Sequence, residues 1–427
     1  MIVNFTFSNI FSFKNNQTIS FVPEPLKELK EHLHIPYLYN PQEQILKSLA
    51  VYGHNSFGKS NLLKTYQFFI SFINDSFTQA RPKIPIEQFL LNTEMHEKAS
   101  RFEIIFYIKE TKYRYGFEIT PDKIVSEWLY YAQFGKRENY LFERVEQEFV
   151  ISKIWNKEAN NKIDLQSIPF AKPNVLLLSI LIAQDVVRVR EIGEKLNSNI
   201  IIRDLNNKLL AKATEIFSNV EYRSDILKFI ESADLGFITI FDKIEKRINE
   251  QDSFGRDFLN MAYDKEIKKF ELYTGHNVYD SRYNFVDSIE FEMLKTESDG
   301  SIKFFILSCI LVYAIKNAIF LWIDEMDSRF HSDLLELLIK QYHNPKKNVF
   351  GSQLIFTTHN TILLNKKIRR DQLIKVDKNE YGESNINPFH SKEKPIRIDA
   401  SVEKDYRSGK LGGVSKKVKS QIDLSFE

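Results

Sequence analysis

One eight-residue stretch constrains the fold of this chain more than any other feature, because it combines two glycines with a lysine and a hydroxyl side chain at fixed spacing. It matches the pattern G-x-x-x-x-G-K-[ST]. An apolar run at 46–52 precedes it, and a helical apolar pattern at 59–72 follows it. The pattern therefore predicts a turn between a buried strand and a helix. The stretch consists of Gly53, His54, Asn55, Ser56, Phe57, Gly58, Lys59 and Ser60.

Such a turn is suited to phosphate. Its glycines let backbone N–H groups surround phosphate oxygens, and the new helix directs the positive end of its dipole at them. We expect Lys59 to reach the β- and γ-phosphates, Ser60 to hold Mg²⁺, and the whole turn from Gly53 to Asn61 to bind the nucleotide. A glycine turn with an exposed lysine is the alternative, and the flanking strand and helix argue against it.

A second candidate is an apolar strand at 319–323 that ends in two carboxylates, Asp324 and Glu325. In a phosphate-binding protein the first would coordinate Mg²⁺, and the second would polarise the attacking water as a general base. Solvated acids at a strand end are the alternative. Lys59 and Asp324 stand 265 positions apart. Small P-loop GTPases keep the corresponding elements much closer, so a large insertion is expected between them.

Two further motifs flank the carboxylate strand. Ser298 and Gly300 precede an apolar helix, where a hydroxyl and a close backbone approach suit an anion at a helix start. An ordinary helix cap with a turn glycine is the alternative. Downstream, an apolar strand at 354–356 leads through two threonines to His359. The first motif resembles the ABC signature motif, and His359 resembles the histidine with which ABC ATPases sense the γ-phosphate.

These four elements in this order resemble the ABC-type AAA family ATPases of bacterial phage-defence and abortive-infection systems. Phe11 departs from the family pattern, which usually has a basic residue there that can touch the nucleotide, and Lys14 could take that part. Both ends of the chain match the family well, and the helical middle matches it poorly. The stretches that carry the match are 9–14, 53–63, 324–331, 369–373, 381–384 and 406–413.

The resemblance implies an ATP-hydrolysing enzyme that uses Mg²⁺ and works as a homodimer or higher oligomer. ATP would lie between the P-loop of one copy and Ser298 and Gly300 of the other, with Asp327 and Ser328 crossing the interface. It also implies a separate effector, nuclease-like in many such systems, because the chain ends too soon after His359 for a fused nuclease domain. Lys59, Glu325 and His359 would be the catalytic residues.

The expected fold is an α/β P-loop NTPase with an ABC-type ATPase head, an N-terminal β-rich lobe and a helical insertion. Alternating apolar residues predict strands at 102–107 and 113–118. They also predict a starting hairpin whose first strand runs to Phe13 and whose second strand, after a polar turn, contains Ile19 and Phe21. We predict an N-terminal ATPase lobe at 1–170, the helical insertion at 171–285 and a C-terminal ATPase lobe at 286–427.

Composition limits the partners and the cellular location that can be expected for this chain. Lys plus Arg is 59 and Asp plus Glu is 57, so the total charge neither requires nor excludes a nucleic-acid partner. The single cysteine, Cys309, and the lack of a signal-peptide pattern at the N-terminus indicate a cytoplasmic protein. The apolar run 304–323 is long enough for a membrane, but Lys316 and Asn317 interrupt it. We therefore expect a buried helix, a turn and a buried strand.

Two other functions compete. The first is a GTPase, because the sequence 161–164 matches N-K-x-D, a motif that recognises guanine in GTPases. Here the motif lies in a polar segment and not at the end of a buried strand. Comparing ATP with GTP binding would decide between an ATPase and a GTPase. The second competing function is a DNA-repair-type clamp, because the lysines of the C-terminal segment could contact the phosphate backbone of DNA. A solvated tail is the simpler interpretation of those lysines, which are Lys410, Lys416, Lys417 and Lys419.

Overall fold

The computed structural model describes residues 1–36, 43–79, 81–158, 172–245, 269–328, 331–365, 367–397 and 400–412. Contacts divide the chain into two compact units. The first unit comprises Met1–Arg203, Asn317–Met326 and His343–Glu427, and the second comprises Asp204–Lys316 and Asp327–Tyr342. The three ranges predicted from the sequence remain a prediction.

Strands and helices are numbered along the chain. The strands are β1 (Ile2–Ser8), β2 (Gln17–Ser20), β3 (Leu33–His34), β4 (Ile45–Leu46), β5 (Ser48–Tyr52), β6 (Ser100–Ile108), β7 (Thr111–Ile119), β8 (Ile124–Gln133), β9 (Asn139–Val145), β10 (Glu148–Ile151), β11 (Asn199–Ile202), β12 (Thr239–Glu245), β13 (Lys269–Tyr279), β14 (Phe285–Glu292), β15 (Phe320–Ile323), β16 (Gln353–Thr357), β17 (Leu373–Lys378) and β18 (Ser384–Pro388). The helices are α1 (Lys59–Asp75), α2 (Lys153–Glu158), α3 (Leu177–Ala183), α4 (Val189–Asn197), α5 (Asn207–Ser218), α6 (Val220–Glu231), α7 (Met293–Thr296), α8 (Asp299–Lys316), α9 (Ser332–Tyr342) and α10 (Val402–Arg407).

A seven-stranded antiparallel sheet in the first unit has the order β10-β9-β8-β7-β6-β1-β2. The alternation predicted at its centre is confirmed, because Phe102, Ile104 and Phe106 are all buried on one face. The first strand was predicted to run to Phe13, and this is wrong. Strand β1 ends at Ser8, because Asn9 (φ 53°) and Phe11 (φ 50°) adopt left-handed backbone that an extended strand cannot contain.

The second sheet of this unit has six strands in the order β11-β15-β16-β5-β17-β18. The first five are parallel, and β18 is antiparallel to β17. Parallel strands bring their carboxyl ends to one edge of the sheet, so the loops after β5, β15 and β16 lie side by side. The register pairs Ile323 with Phe356 and Thr357 with Val51. The expected α/β fold therefore contains a largely parallel sheet.

Helix α1, which follows the glycine-rich turn, contacts both sheets. The Tyr66 ring lies 5.2 Å from Phe320 and 5.3 Å from Trp322 in the parallel sheet. Phe69, one turn closer to the helix end, stacks at 5.5 Å on Phe117 of the antiparallel sheet. Burying one such ring contributes about 2–3 kcal/mol. The helix start is therefore held by aromatic packing on two sides.

The second unit is built on α8, which is buried along nearly its whole length. Phe305 meets Phe217 of α5 edge-on at 5.4 Å, and Lys316 pairs with Asp225 of α6 at 2.9 Å. Strands β12, β13 and β14 form an antiparallel sheet in this order. The apolar run 304–323 divides into α8 and β15, as predicted. No helix in the described part of the chain is long and apolar enough to cross a membrane.

Candidate nucleotide-binding site

The turn after β5 requires both of its glycines. Gly53 has a φ of 155°, and a Cβ there would lie 2.7 Å from the carbonyl oxygen of Val376. Gly58 has a φ of 117°, and a Cβ there would lie 2.6 Å from the Ser384 hydroxyl. Any other residue would meet both steric overlap and backbone strain at these positions. The two glycines thus let the chain turn sharply against β17 and β18.

Lys59 is buried, although lysine is rarely buried without partners. Its ammonium group donates to the carbonyl oxygens of Gly53 at 2.7 Å and His54 at 3.3 Å. The charge is therefore held inside the turn, as the pattern requires for a group that contacts phosphate. His54, Asn55 and Ser56 are exposed, and Phe57 and Gly58 are half-buried.

The two predicted Mg²⁺ ligands lie together. The Ser60 hydroxyl at the start of α1 donates to Asp324 Oδ2 at the end of β15, at 3.1 Å. A hydroxyl and a carboxylate supply the oxygen ligands that Mg²⁺ prefers, and Mg²⁺ commonly completes its shell with water and phosphate. Among the residues that the structure describes, no cluster of three or more His, Cys, Asp or Glu side chains could hold a metal. The Ser60 and Asp324 oxygens fit a nucleotide-associated Mg²⁺, because such an ion takes few ligands from the protein.

Thr357 holds the Asp324 carboxylate and the backbone of Glu325, a role that the sequence did not predict. Its hydroxyl donates to Asp324 Oδ1 at 2.5 Å and accepts the backbone N–H of Glu325 at 2.7 Å. Its carbonyl oxygen accepts the N–H of Met326 at 3.0 Å. The signal in the sequence was a hydroxyl residue at the end of the strand that neighbours the carboxylate strand.

Glu325 and His359 both lie at the carboxyl edge of the parallel sheet, with exposed side chains. Glu325 has a φ of 46°, an unusual conformation for a residue that is not glycine and one that is frequent at functional sites. Next to His359, the backbone of Thr358 donates to Val51 of β5 at 3.2 Å. The sheet therefore brings both residues to the edge where the turn after β5 lies, and their catalytic roles stay predictions.

A cluster of hydroxyl and amide groups braces the turn from outside. Ser384 Oγ lies 2.6 Å from the Phe57 carbonyl oxygen and 2.8 Å from Ser12 Oγ. Asn61, the last residue of the predicted nucleotide-binding set, donates to Ser12 Oγ at 3.0 Å. Ser12 and Ser384 lie in family-like stretches of the sequence, but no role was predicted for them. They connect the loop after β1 and the start of β18 to the phosphate-binding turn.

Lys14, the predicted substitute for a basic contact near the nucleotide, and Phe11, which stands in place of that basic residue, both have other neighbours. Lys14 pairs with Glu383 at 2.8 Å. Phe11 lies beneath the Lys64 ammonium group, 6.0 Å from the ring centre. Lys14 thus helps to fix the loop after β1 against β18, and its predicted contact with nucleotide stays a prediction.

In the second unit, Ser298 caps helix α8. Its Oγ accepts the backbone N–H of Ser301 at 3.1 Å and lies 3.0 Å from Ser301 Oγ. The capping contact that the sequence offered as an alternative is therefore present. Ser298 is exposed, and Gly300 lies half-buried in the first turn. Their contact with phosphate stays a prediction.

Parts of the competing hypotheses lie outside the described residues. This applies to the guanine-type sequence at 161–164 and to Lys416, Lys417 and Lys419 of the C-terminal cluster. Lys410 is described, and its ammonium group lies 3.5 Å from Asp405.

A phosphate-binding turn between a parallel strand and a helix, with a carboxylate after the next strand but one, defines an α/β P-loop NTPase, here with an additional antiparallel sheet. This confirms the expected fold class. The family model described as "AAA domain, putative AbiEii toxin, Type IV TA system" matches residues 48–365. The chain belongs to this family of AAA ATPases.

Other comparisons add little to this assignment. No curated protein sequence matches the chain. Two solved structures of the recombination mediator protein RecF in the RecFOR pathway, titled RecF-ATPrS and RecF-ATP, are similar over 90% of this chain and 98% and 97% of theirs. Sequence identity is 10% and 12%, and the TM-score is 0.32 for both. This likeness is too distant to indicate a function.

Proposed function

We propose that this chain binds and hydrolyses ATP with Mg²⁺ as an ABC-type ATPase head. The observation that carries the proposal is the contact of Ser60 with Asp324, whose second oxygen accepts the Thr357 hydroxyl. Three segments remote in sequence thus supply the hydroxyl, the carboxylate and its support. Membership of an AAA family independently supports nucleotide binding.

In this mechanism Lys59 and the backbone N–H groups of the turn bind the β- and γ-phosphates. Ser60 and Asp324 would hold Mg²⁺, which neutralises charge on the phosphates when bound. Glu325 accepts a proton from the attacking water, and Thr357 keeps its backbone in place. His359 contacts the γ-phosphate from the neighbouring strand.

The proposal includes a second copy of the chain. Ser298 is exposed at the start of α8, where a helix N-terminus and a nearby glycine suit a phosphate presented by a partner. Two chains would then enclose two ATP molecules, and hydrolysis would reopen the dimer. Because an isologous dimer repeats each contact, one substitution removes the group from both sites.

We further propose that the chain is the sensor and motor of an antiviral abortive-infection system and acts beside a separate, nuclease-like effector. The family description, which names an AbiEii toxin and a type IV toxin–antitoxin system, supports a role in such systems. The proposal of a separate effector rests on the resemblance of the sequence motifs alone.

The test is light scattering after size-exclusion chromatography on Glu325→Gln, with and without ATP and Mg²⁺. We expect the mass to double with ATP, and we expect no shift in Lys59→Ala. The ATP-trapped complex can then serve as bait for the effector. Binding of ATP without a change in mass would exclude the dimer, and stronger binding of GTP than ATP would exclude an ATP-specific site.

A further inference from the structure

The C-terminal segment 400–412 carries a family-like stretch to which the mechanism above gives no role. Its core is α10, a helix of six residues. Val402 and Tyr406 are buried on one face of this helix, whereas Lys404 is exposed on another. The buried face packs within the first unit, so its neighbours indicate what the segment does.

One set of neighbours is the histidine loop, 360–365, which begins directly after His359. The Glu403 carboxylate accepts the Thr361 hydroxyl at 2.9 Å and the Asn365 amide at 2.6 Å. Arg407 donates to Thr361 Oγ1 at 2.8 Å and pairs with Glu403 at 2.7 Å. The hydrogen bonds from Asn365 and Thr361 hold the pKa of Glu403 below its usual value, so the group is charged at neutral pH.

The other neighbour is the first residue of the phosphate-binding turn. The Tyr406 hydroxyl accepts the backbone N–H of Gly53, and burial raises the pKa of this hydroxyl, which therefore stays neutral. The Tyr406 ring lies 5.6 Å from those of Tyr52 and Phe389. Tyr52, the residue before the turn, donates its hydroxyl to the Asn360 carbonyl oxygen at 2.9 Å.

The far end of the segment is fixed to the sheet. The Lys375 ammonium group donates to the carbonyl oxygen of Leu411 and pairs with Asp377 at 2.8 Å. Lys375 and Asp377 belong to β17, the parallel neighbour of β5. The segment is thus attached to β17, to the start of the turn and to the histidine loop.

We infer that Glu403 and Tyr406 are positioning residues that hold the histidine loop and the phosphate-binding turn in one fixed arrangement. The inference rests on the proposed ATPase function. Glu403 acts through Thr361 and Asn365, and Tyr406 acts through Gly53 and Tyr52. Since both lie on one short helix, a displacement of the histidine loop by the γ-phosphate is transmitted to the C-terminal segment.

The test compares Glu403→Gln and Tyr406→Phe with Lys404→Gln, a matched change on the exposed face of the same helix. A glutamine loses the charge and one acceptor atom, and a phenylalanine loses only the hydroxyl. We expect Glu403→Gln to lower kcat about tenfold with KM changed less than about twofold. Tyr406→Phe should raise the Kd for a fluorescent ATP analogue about threefold to tenfold. In kcat/KM, the double variant should lose less than the product of the losses in the two single variants.

Three results separate the possibilities. An active wild-type enzyme with unchanged kcat, KM and Kd in both variants would overturn the inference and leave the proposed function intact. The inference is also overturned if both variants lose binding and turnover equally and in step with a lowered apo-state Tm, since that is the effect of a structural role. A wild-type chain that neither binds nor hydrolyses ATP would overturn the proposed function, and the inference with it.

Discussion

The two units of this chain hold their candidate phosphate-binding groups in different ways. In the first unit the decisive contacts join residues that are remote in sequence. Ser60 and Asp324 are 264 positions apart, and Phe57 and Ser384 are 327 positions apart. These contacts exist only when the parallel sheet has its full set of strands.

In the second unit the start of α8 is held by near neighbours in the sequence. Glu297, the residue before the Ser298 cap, accepts the Thr274 hydroxyl at 2.7 Å across 23 positions. It also pairs with His276 at 2.8 Å. Farther along the helix the buried Lys303 donates to Ser328 at 2.6 Å across 25 positions.

This difference between the two units determines how far the effect of a substitution extends. A site assembled by sheet register is exact in position but depends on the whole unit, whereas a capped helix start depends on a few local bonds. Substitutions in the first unit should therefore produce large losses of binding or turnover. Substitutions around α8 should produce smaller changes confined to the second unit.

The largest effect is expected for Lys59→Ala. Loss of the buried ammonium group should weaken ATP binding by about 100-fold, roughly 2.7 kcal/mol, because the backbone N–H groups that remain in the turn carry no full positive charge. Titration with a fluorescent ATP analogue measures this. Lys64→Ala, one turn along α1, is the matched control and should keep its affinity. Equal affinities for the two variants would contradict the assignment of the turn.

Next comes Thr357→Val, which keeps the shape of the side chain and removes the hydroxyl. Asp324 then loses one donor and the Glu325 N–H loses its acceptor, so kcat should fall about 10- to 100-fold with a smaller change in KM. Steady-state hydrolysis assays measure both constants. Thr357→Ser retains the hydroxyl and should recover most of the activity. If valine and serine behaved alike, the hydroxyl would have no part in holding the Asp324 carboxylate and the Glu325 backbone.

A smaller effect is expected for the contact between α8 and the segment after the carboxylate strand. Ser328→Ala leaves the buried Lys303 ammonium group with one partner fewer and should cost about 1–2 kcal/mol of stability in the second unit. In the Lys303→Met background the same change should cost much less, a coupling of about 1 kcal/mol. Hydrogen exchange of the α8 amides measures this. Additive losses would show that the two side chains do not interact.

The smallest effect concerns pH. Burial, together with the charges of Lys47 and the N-terminal amine, lowers the pKa of His34 to about 4. The unfolded chain takes up this proton near pH 6.5, so the stability of the first unit should fall as pH decreases from about 6.5 towards 4. The loss should be about 1 kcal/mol, because the ring is part-exposed and solvent screens much of the effect. Denaturation followed by tryptophan fluorescence reports this unit alone, because Trp128, Trp155 and Trp322 all lie in it.

His34→Gln should flatten this pH dependence, while the protection of the α8 amides in the second unit stays unchanged. An unaltered slope in the variant would assign the acid sensitivity to other groups. A simultaneous loss of protection in α8 would show that the two units do not respond separately, which would break the comparison drawn above.

Much of the candidate site follows from local sequence. The glycines at 53 and 58, Lys59 and Ser60 form a pattern whose backbone conformation few other residues can adopt. Asp324 and Glu325 could be assigned because they end an apolar strand in a chain that also has a phosphate-binding turn. These features depend on residues next to one another in the chain, and so the sequence was enough to predict them.

Other features could not be predicted in the same way. The first strand was expected to reach Phe13, because alternation continues there, but the left-handed conformation of Asn9 and Phe11 ends it at Ser8. The role of Thr357 depends on which strand lies beside β15. The sequence does not specify that neighbour, because any buried apolar strand could occupy the position.

The sequence by itself determined that the chain has a phosphate-binding turn, a carboxylate strand and an α/β fold, because short patterns restrict backbone conformation and burial. The tertiary structure alone decided that Ser12 and Ser384 brace the turn and that Glu403 and Tyr406 join it to the histidine loop. The physical reason is that these contacts connect segments that are not adjacent in the chain, from 42 positions apart for Thr361 and Glu403 to 372 for Ser12 and Ser384. Only the order and register of the folded strands bring such segments within hydrogen-bonding distance.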